Sequence, residues 1–190
     1  MDNSTMIAVV VIILLVVGGL VAIPFFRRQR TKRLQQRFGP EYERTVKELG
    51  DQRTAESALE ERVVHVRSLE IHSLSAEEVE RFTGEWKLVQ AEFVDEPLSA
   101  IQKANRLIKE VMNARGYPVN DFEQRAADIS VDYPDLVADY RGLHAIAVQG
   151  DDENITTEEL RQAMIHGRAL FEKLVQQEAN VANRNQKERT

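Results

Sequence analysis

Few side chains of this 190-residue chain are suited to chemistry. It has no cysteine, which excludes disulfides, thiol nucleophiles and Cys-ligated zinc or iron–sulfur sites. Four histidines remain: His65, His72, His144 and His166. His144 follows Leu143 on the apolar side of a predicted helix. A hydrogen-bonded core histidine is the plain expectation there, and a ligand or acid–base group the sharper one. Glu61 and His65 stand four apart, a spacing at which two helical side chains can share a metal, though a lone pair of this kind is common by chance. No Glu precedes any histidine by three positions, so the Glu-x-x-His pair of di-iron bundles is missing. H-E-x-x-H, Gly-rich phosphate loops and the G-x-S-x-G elbow are missing too. The expectation is a non-enzyme without metal or cofactor. The alternative is an enzyme with an unfamiliar site, built from His144 and carboxylates of the 121–139 region.

One polar stretch concentrates reactive and recognition side chains: "NARGYPVNDFEQRAADISVDYPDLVADYR", residues 113–141. It holds Tyr117, Asp121, Arg125, Asp128, Asp132, Tyr133, Asp135, Asp139, Tyr140 and Arg141. Two Tyr-Pro steps bracket a short helix. One reading is structural, with Pro ending helices and Asp and Asn capping them. The other is an interaction surface of Tyr117, Asp121, Arg125, Asp132, Tyr133 and Arg141, because Tyr and Arg dominate protein-binding hot spots.

The elements that must carry these residues are helices. Gly and Pro are few (9 and 5) and 29% of residues are charged, a helix-leaning globular composition. Gly39-Pro40 breaks a basic helix that ends near Arg37. A short helix with Tyr42, Val46 and Leu49 on one face follows, closed by Gly50. Asp51 caps a helix carrying Ala55, Leu59, Val63 and Val66. Ser75 and Glu78 make a capping box ahead of Val79, Phe82, Trp86, Val89 and Phe93. Asp95 and Pro97 start a helix with Ile101, Ala104, Ile108, Val111 and Met112 inward, ended by Gly116. Asn120 with Glu123 caps Phe122, Ala126 and Ile129. Asp132 and Pro134 open a helix with Leu136, Tyr140, Leu143 and Ala147. Thr156 with Glu159 boxes the last one, bearing Leu160, Met164, Gly167, Phe171 and Leu174. No stretch alternates apolar and polar residues as a half-buried strand does. The predicted fold is all-α: one N-terminal transmembrane helix, then a compact domain of five to seven helices.

The transmembrane expectation rests on Met6–Phe26, which carries no charge. As a helix, those residues span about 31 Å, the thickness of a bilayer core. Six cations follow within eleven positions (Arg27, Arg28, Arg30, Lys32, Arg33, Arg37) and none precedes the run. That asymmetry predicts a short outer N-terminus and a cytoplasmic body. The same cations can contact anionic headgroups. From residue 38 onward, 19 Lys and Arg face 30 Asp and Glu, which argues against nucleic acid as partner. "MDNST" is not a basic n-region and no A-x-A site follows, so an uncleaved signal anchor is expected over a secreted or periplasmic cleaved form. Gly18 and Ala22 form one small-xxx-small pair, a weak pointer to a homo-oligomer.

"RFGPEY" (37–42) and "RGYPVNDFEQRAADIS" (115–130) resemble a family of uncharacterised bacterial proteins. These are small, usually with one N-terminal span or leader-like segment, and are often labelled hypothetical or secreted. The resemblance covers most of residues 34–175 and implies an envelope protein. It carries over no catalytic or binding residue. Its "secreted" label implies export, whereas the charge asymmetry implies a cytoplasmic body.

The resulting organisation is a tail over 1–5, a span over 6–26, a basic juxtamembrane helix over 27–38, a helical domain over 39–176 and a polar tail over 177–190. The expected role is a membrane-tethered protein-interaction module, an adaptor or scaffold, located in the bacterial inner membrane. A lipid-responsive module that uses the basic collar is the other non-enzymatic reading.

Overall fold

The computed structural model describes residues 28–150 and 155–176, and within them the chain is all-α. Eight helices run among the described residues: α1 over 28–38, α2 (Pro40–Leu49), α3 (Gln52–Ser68), α4 (Ala76–Glu92), α5 (Pro97–Ala114), α6 (Phe122–Asp132), α7 (Val137–Gln149) and α8 (Thr157–Gln176). The span predicted over 6–26, the Gly18–Ala22 pair and the polar tail lie outside the described residues. No described helix is long and apolar enough to cross a membrane.

The chain divides into two compact units, Met1–Leu59 and Glu60–Thr190, with the division inside α3. In the first unit, Leu34 and Phe38 of α1, Tyr42 of α2, and Ala55 and Leu59 of α3 are buried. Gly39 (φ 50°) makes the break between α1 and α2, and Pro40 supplies the first helical turn of α2. The inward face of α2 is Glu41, Tyr42 and Thr45. Leu49, expected on that face, is exposed, because the helix ends there and Gly50 turns the chain away.

The second unit is organised around α5, which packs against α4, α7 and α8. Its small Ala100 and Ala104 and its larger Ile101, Leu107, Ile108, Val111 and Met112 are all buried. Apolar residues recurring every three to four positions turn a wide stripe inward on several neighbours at once. On α8, a Cβ added at Gly167 would meet the Leu143 methyls of α7 at 3.1 and 3.3 Å, so glycine sets how closely these helices approach. Trp86 of α4 stacks on Phe171 of α8, with ring centroids 4.5 Å apart.

The Ser75–Glu78 box is complete on α4, as is the Thr156–Glu159 box on α8. Three helix starts differ from expectation. The cap of α6 is Asp121, not Asn120; its Oδ2 accepts from Gln124 N at 2.9 Å. Asp132 does not open α7 but ends α6, its carboxylate taken by the Tyr117 hydroxyl. Pro134 disfavours helix at Tyr133, so residues 134–136 turn and α7 starts at Val137 without a side-chain cap. Asp95 likewise lies in a turn, and α5 starts behind Glu96.

Candidate functional site

The polar stretch of residues 113–141 folds inward. Arg115, one residue past the end of α5, is 1% exposed. Its Nη1 donates to the Tyr133 hydroxyl (2.9 Å) and to the Leu174 carbonyl (2.8 Å), and its Nε to the His72 carbonyl (3.3 Å). One guanidinium thus ties together the end of α5, the segment after α3, the end of α6 and Leu174 of α8. Gly116 makes this possible. At φ 89° it brings the chain so close that a Cβ would sit 2.5 Å from the Glu70 carbonyl oxygen.

Arg125 of α6 is also buried. It donates through Nε to the Tyr140 hydroxyl (3.1 Å) and through Nη1 to the Val119 carbonyl (2.8 Å). Tyr117 donates to Asp132 Oδ2 at 2.7 Å, and burial first, then the Asp132 charge, pushes its hydroxyl pKa up. Of the six residues expected to form a recognition surface, Tyr117, Arg125 and Tyr133 are therefore interior. Asp132 is half-buried under Tyr117, and Asp121 is exposed but occupied in capping α6. Arg141 is half-buried and pairs with Glu123 at 2.6 Å. The physical reason is that these side chains find polar partners within the fold: Tyr117 donates to a carboxylate, Arg125 to a hydroxyl and a carbonyl, and Tyr133 accepts from Arg115.

His144 stacks on Phe122, centroids 3.6 Å apart and planes 12° apart, and its Nδ1 lies 3.4 Å from Asn105 Oδ1. Burial, then Arg125, lowers its pKa against the opposing pull of Glu123. The Arg125 and Arg141 guanidinium groups lie 5.7 and 6.0 Å from the same Phe122 ring. The imidazole is thus held as an aromatic packing partner whose charged form burial disfavours. His65 turns Nε2 towards Asp128 Oδ1 of α6 at 3.6 Å. Among the described residues, no group of three or more His, Asp or Glu is placed to hold a metal ion.

Asp128 is completely buried. Its Oδ1 accepts from Gln124 Nε2 at 2.8 Å, and its Oδ2 has no partner. Burial raises its pKa; the Gln124 bond and the charges of His65 and Arg62 only partly oppose this, and Asp132 adds to it. A second buried carboxylate, Glu56 of α3, lies in the first unit. It accepts from Thr31 (2.6 Å), Tyr42 (3.0 Å) and Gln52 (2.9 Å), and Arg30 lies 3.8 Å away. Burial pushes its pKa up, but these bonds and the Arg30 charge outweigh that, and the net shift is downward. Sequence reasoning missed Glu56, although it sits between Ala55 and Leu59 on the buried face of α3.

Five of the six collar cations are on α1. Arg28, Arg30, Lys32 and Arg33 are exposed, and Arg37 is half-buried beside Phe38. Arg27 lies outside the described residues. In the second unit, a solvent-open groove of about 480 Å³ runs between α4 and α8. Val79, Trp86, Phe171 and Val175 line it, and Lys87 and Arg168 are among the polar residues at its edge. Compared with protein-family models, with curated proteins and with solved structures, the chain matches none.

Proposed function

We propose that the chain is a single-pass bacterial inner-membrane protein whose all-α body faces the cytoplasm and docks other proteins, as a tethered adaptor or scaffold. One observation carries the tether: a 21-residue uncharged apolar run flanked by cations on its C-terminal side alone. The exposed cations of α1 support it, since Arg28, Lys32 and Arg33 stand on the helix surface where a headgroup layer can meet them. The resemblance to bacterial envelope proteins agrees with it. The docking role draws support from the aromatic-floored groove between α4 and α8, whose mixture of apolar base and polar edge is that of a protein-binding surface.

Reporter fusions at the C-terminus test the topology. A cytoplasmic fluorescent reporter should light up and an alkaline phosphatase fusion should stay inactive; active phosphatase would overturn the orientation. For docking, the full chain is purified from detergent-solubilised membranes beside a Lys87→Glu/Arg168→Glu variant. A partner retained by the native chain and lost by the variant supports the adaptor role, and identical profiles argue against it.

The exposed collar also favours a second reading, in which α1 responds to anionic lipid. Binding of the full chain's basic face to anionic liposomes would then fall steeply with salt, and salt-independent binding would contradict it.

A further inference from the structure

Two of the buried polar atoms without a hydrogen-bond partner belong to one pair, His65 Nε2 on α3 and Oδ2 of Asp128 on α6. The Asp128 side chain is fully buried, whereas that of His65 is 41% exposed. The imidazole therefore points a buried nitrogen at the carboxylate and keeps its other edge in reach of water. Their separation of 3.6 Å suits an ion pair but exceeds a hydrogen bond. The charged groups facing Asp128 are His65 and Arg62 from α3 and Asp132 from its own helix. A buried carboxylate with one empty oxygen is costly unless a charge compensates it, and a protonated imidazole supplies both the charge and a donor. Because its outer edge is wet, His65 can gain or lose a proton without the core opening.

We propose that His65 and Asp128 form a proton-operated latch between α3 and α6, closed while His65 is protonated and loosened when it is neutral. The latch acts on the half of α3 that belongs to the second compact unit. It tightens when the imidazole carries its second proton and weakens when that proton leaves. His166 and Asp139, 3.5 Å apart on α8 and α7, repeat the chemistry with both side chains about a third exposed. Solvent screens that pair, which makes it an internal control.

Hydrogen exchange of the full chain, followed by mass spectrometry and corrected for intrinsic rates, reads the latch. Protection of residues 62–68 and 122–132 should drop about tenfold between about pH 5 and about pH 8 in the native chain. The drop should vanish in both Asp128→Asn and His65→Gln, and survive in His166→Gln. Protection in the native chain that does not change with pH, or an undiminished drop in Asp128→Asn, would overturn the latch. Should Asp128→Asn fail to fold, His65→Gln carries the same test.

Discussion

Glu56 and Asp128 are both carboxylates removed from water, at 5% and 0% exposure. The first lies in the compact unit that begins the chain, the second in the unit that ends it. Around Glu56 two hydroxyls, an amide and a guanidinium converge from α1, α2 and α3 itself. Around Asp128 one amide donates, one oxygen stays empty, and the histidine that faces it is charged only when protonated. The outcome is opposite in sign: Glu56 is shifted down and Asp128 up. Burial alone thus does not decide what a buried charge does; the number of donors does. Fully bonded, a carboxylate anchors helices. Half-bonded, it becomes sensitive to protons.

The pH dependence follows with its sign. Glu56 contributes stability that is present above the usual glutamate range and is lost as pH falls through its lowered value. Asp128 contributes in the reverse direction, most at low pH and less as pH rises through its raised value. His144 loses its contribution on acidification, because protonation must charge a ring held against Phe122.

The largest test of the comparison is a third buried charge. Arg115→Ala removes the donor shared by Tyr133, Leu174 and His72, and should cost about 3–5 kcal/mol in denaturant unfolding. A cost near zero would break the rule that fully bonded buried charges anchor this fold. Glu56→Ala should cost about 3 kcal/mol, since it strands the Thr31, Tyr42 and Gln52 donors. The chain's single tryptophan, Trp86, lies in the second unit, so its fluorescence paired with circular dichroism reports whether that loss stays in the first unit. Gly116→Ala should cost about 2 kcal/mol by thermal unfolding, because the left-handed backbone is strained with a Cβ and Glu70 blocks it. At the small end, Arg161→Ala breaks an exposed pair with Glu158 and should leave the unfolding midpoint unresolved from the native value.

The fold was legible where local chemistry is self-contained. Both Ser/Thr–Glu boxes, the Gly39-Pro40 break and the α5 stripe are written in short spacings that tertiary contacts only reinforce. Asn120 misled because Asp121, one residue on, offers a better cap in the right conformation. Asp132 misled because a partner fifteen residues back, Tyr117, claimed its carboxylate. The recognition-surface reading took Tyr and Arg as outward-facing by residue type. Nothing in "NARGYPVNDFEQRAADIS" announces that Arg115 will be drawn into the end of α8, because its acceptor Leu174 is fifty-nine residues away. His65 and Asp128 likewise meet only after α3 and α6 have packed.

Equilibrium unfolding of Glu56→Gln and Asp128→Asn at about pH 8, each against the native chain, tests the central claim most directly. Both changes keep the shape and remove the charge. Glu56→Gln should lose stability, because a neutral amide accepts less strongly and brings donors into a site already full of them. Asp128→Asn should be neutral or stabilising, because the charge it removes was poorly compensated. Equal losses in the two variants would contradict the distinction between anchor and latch.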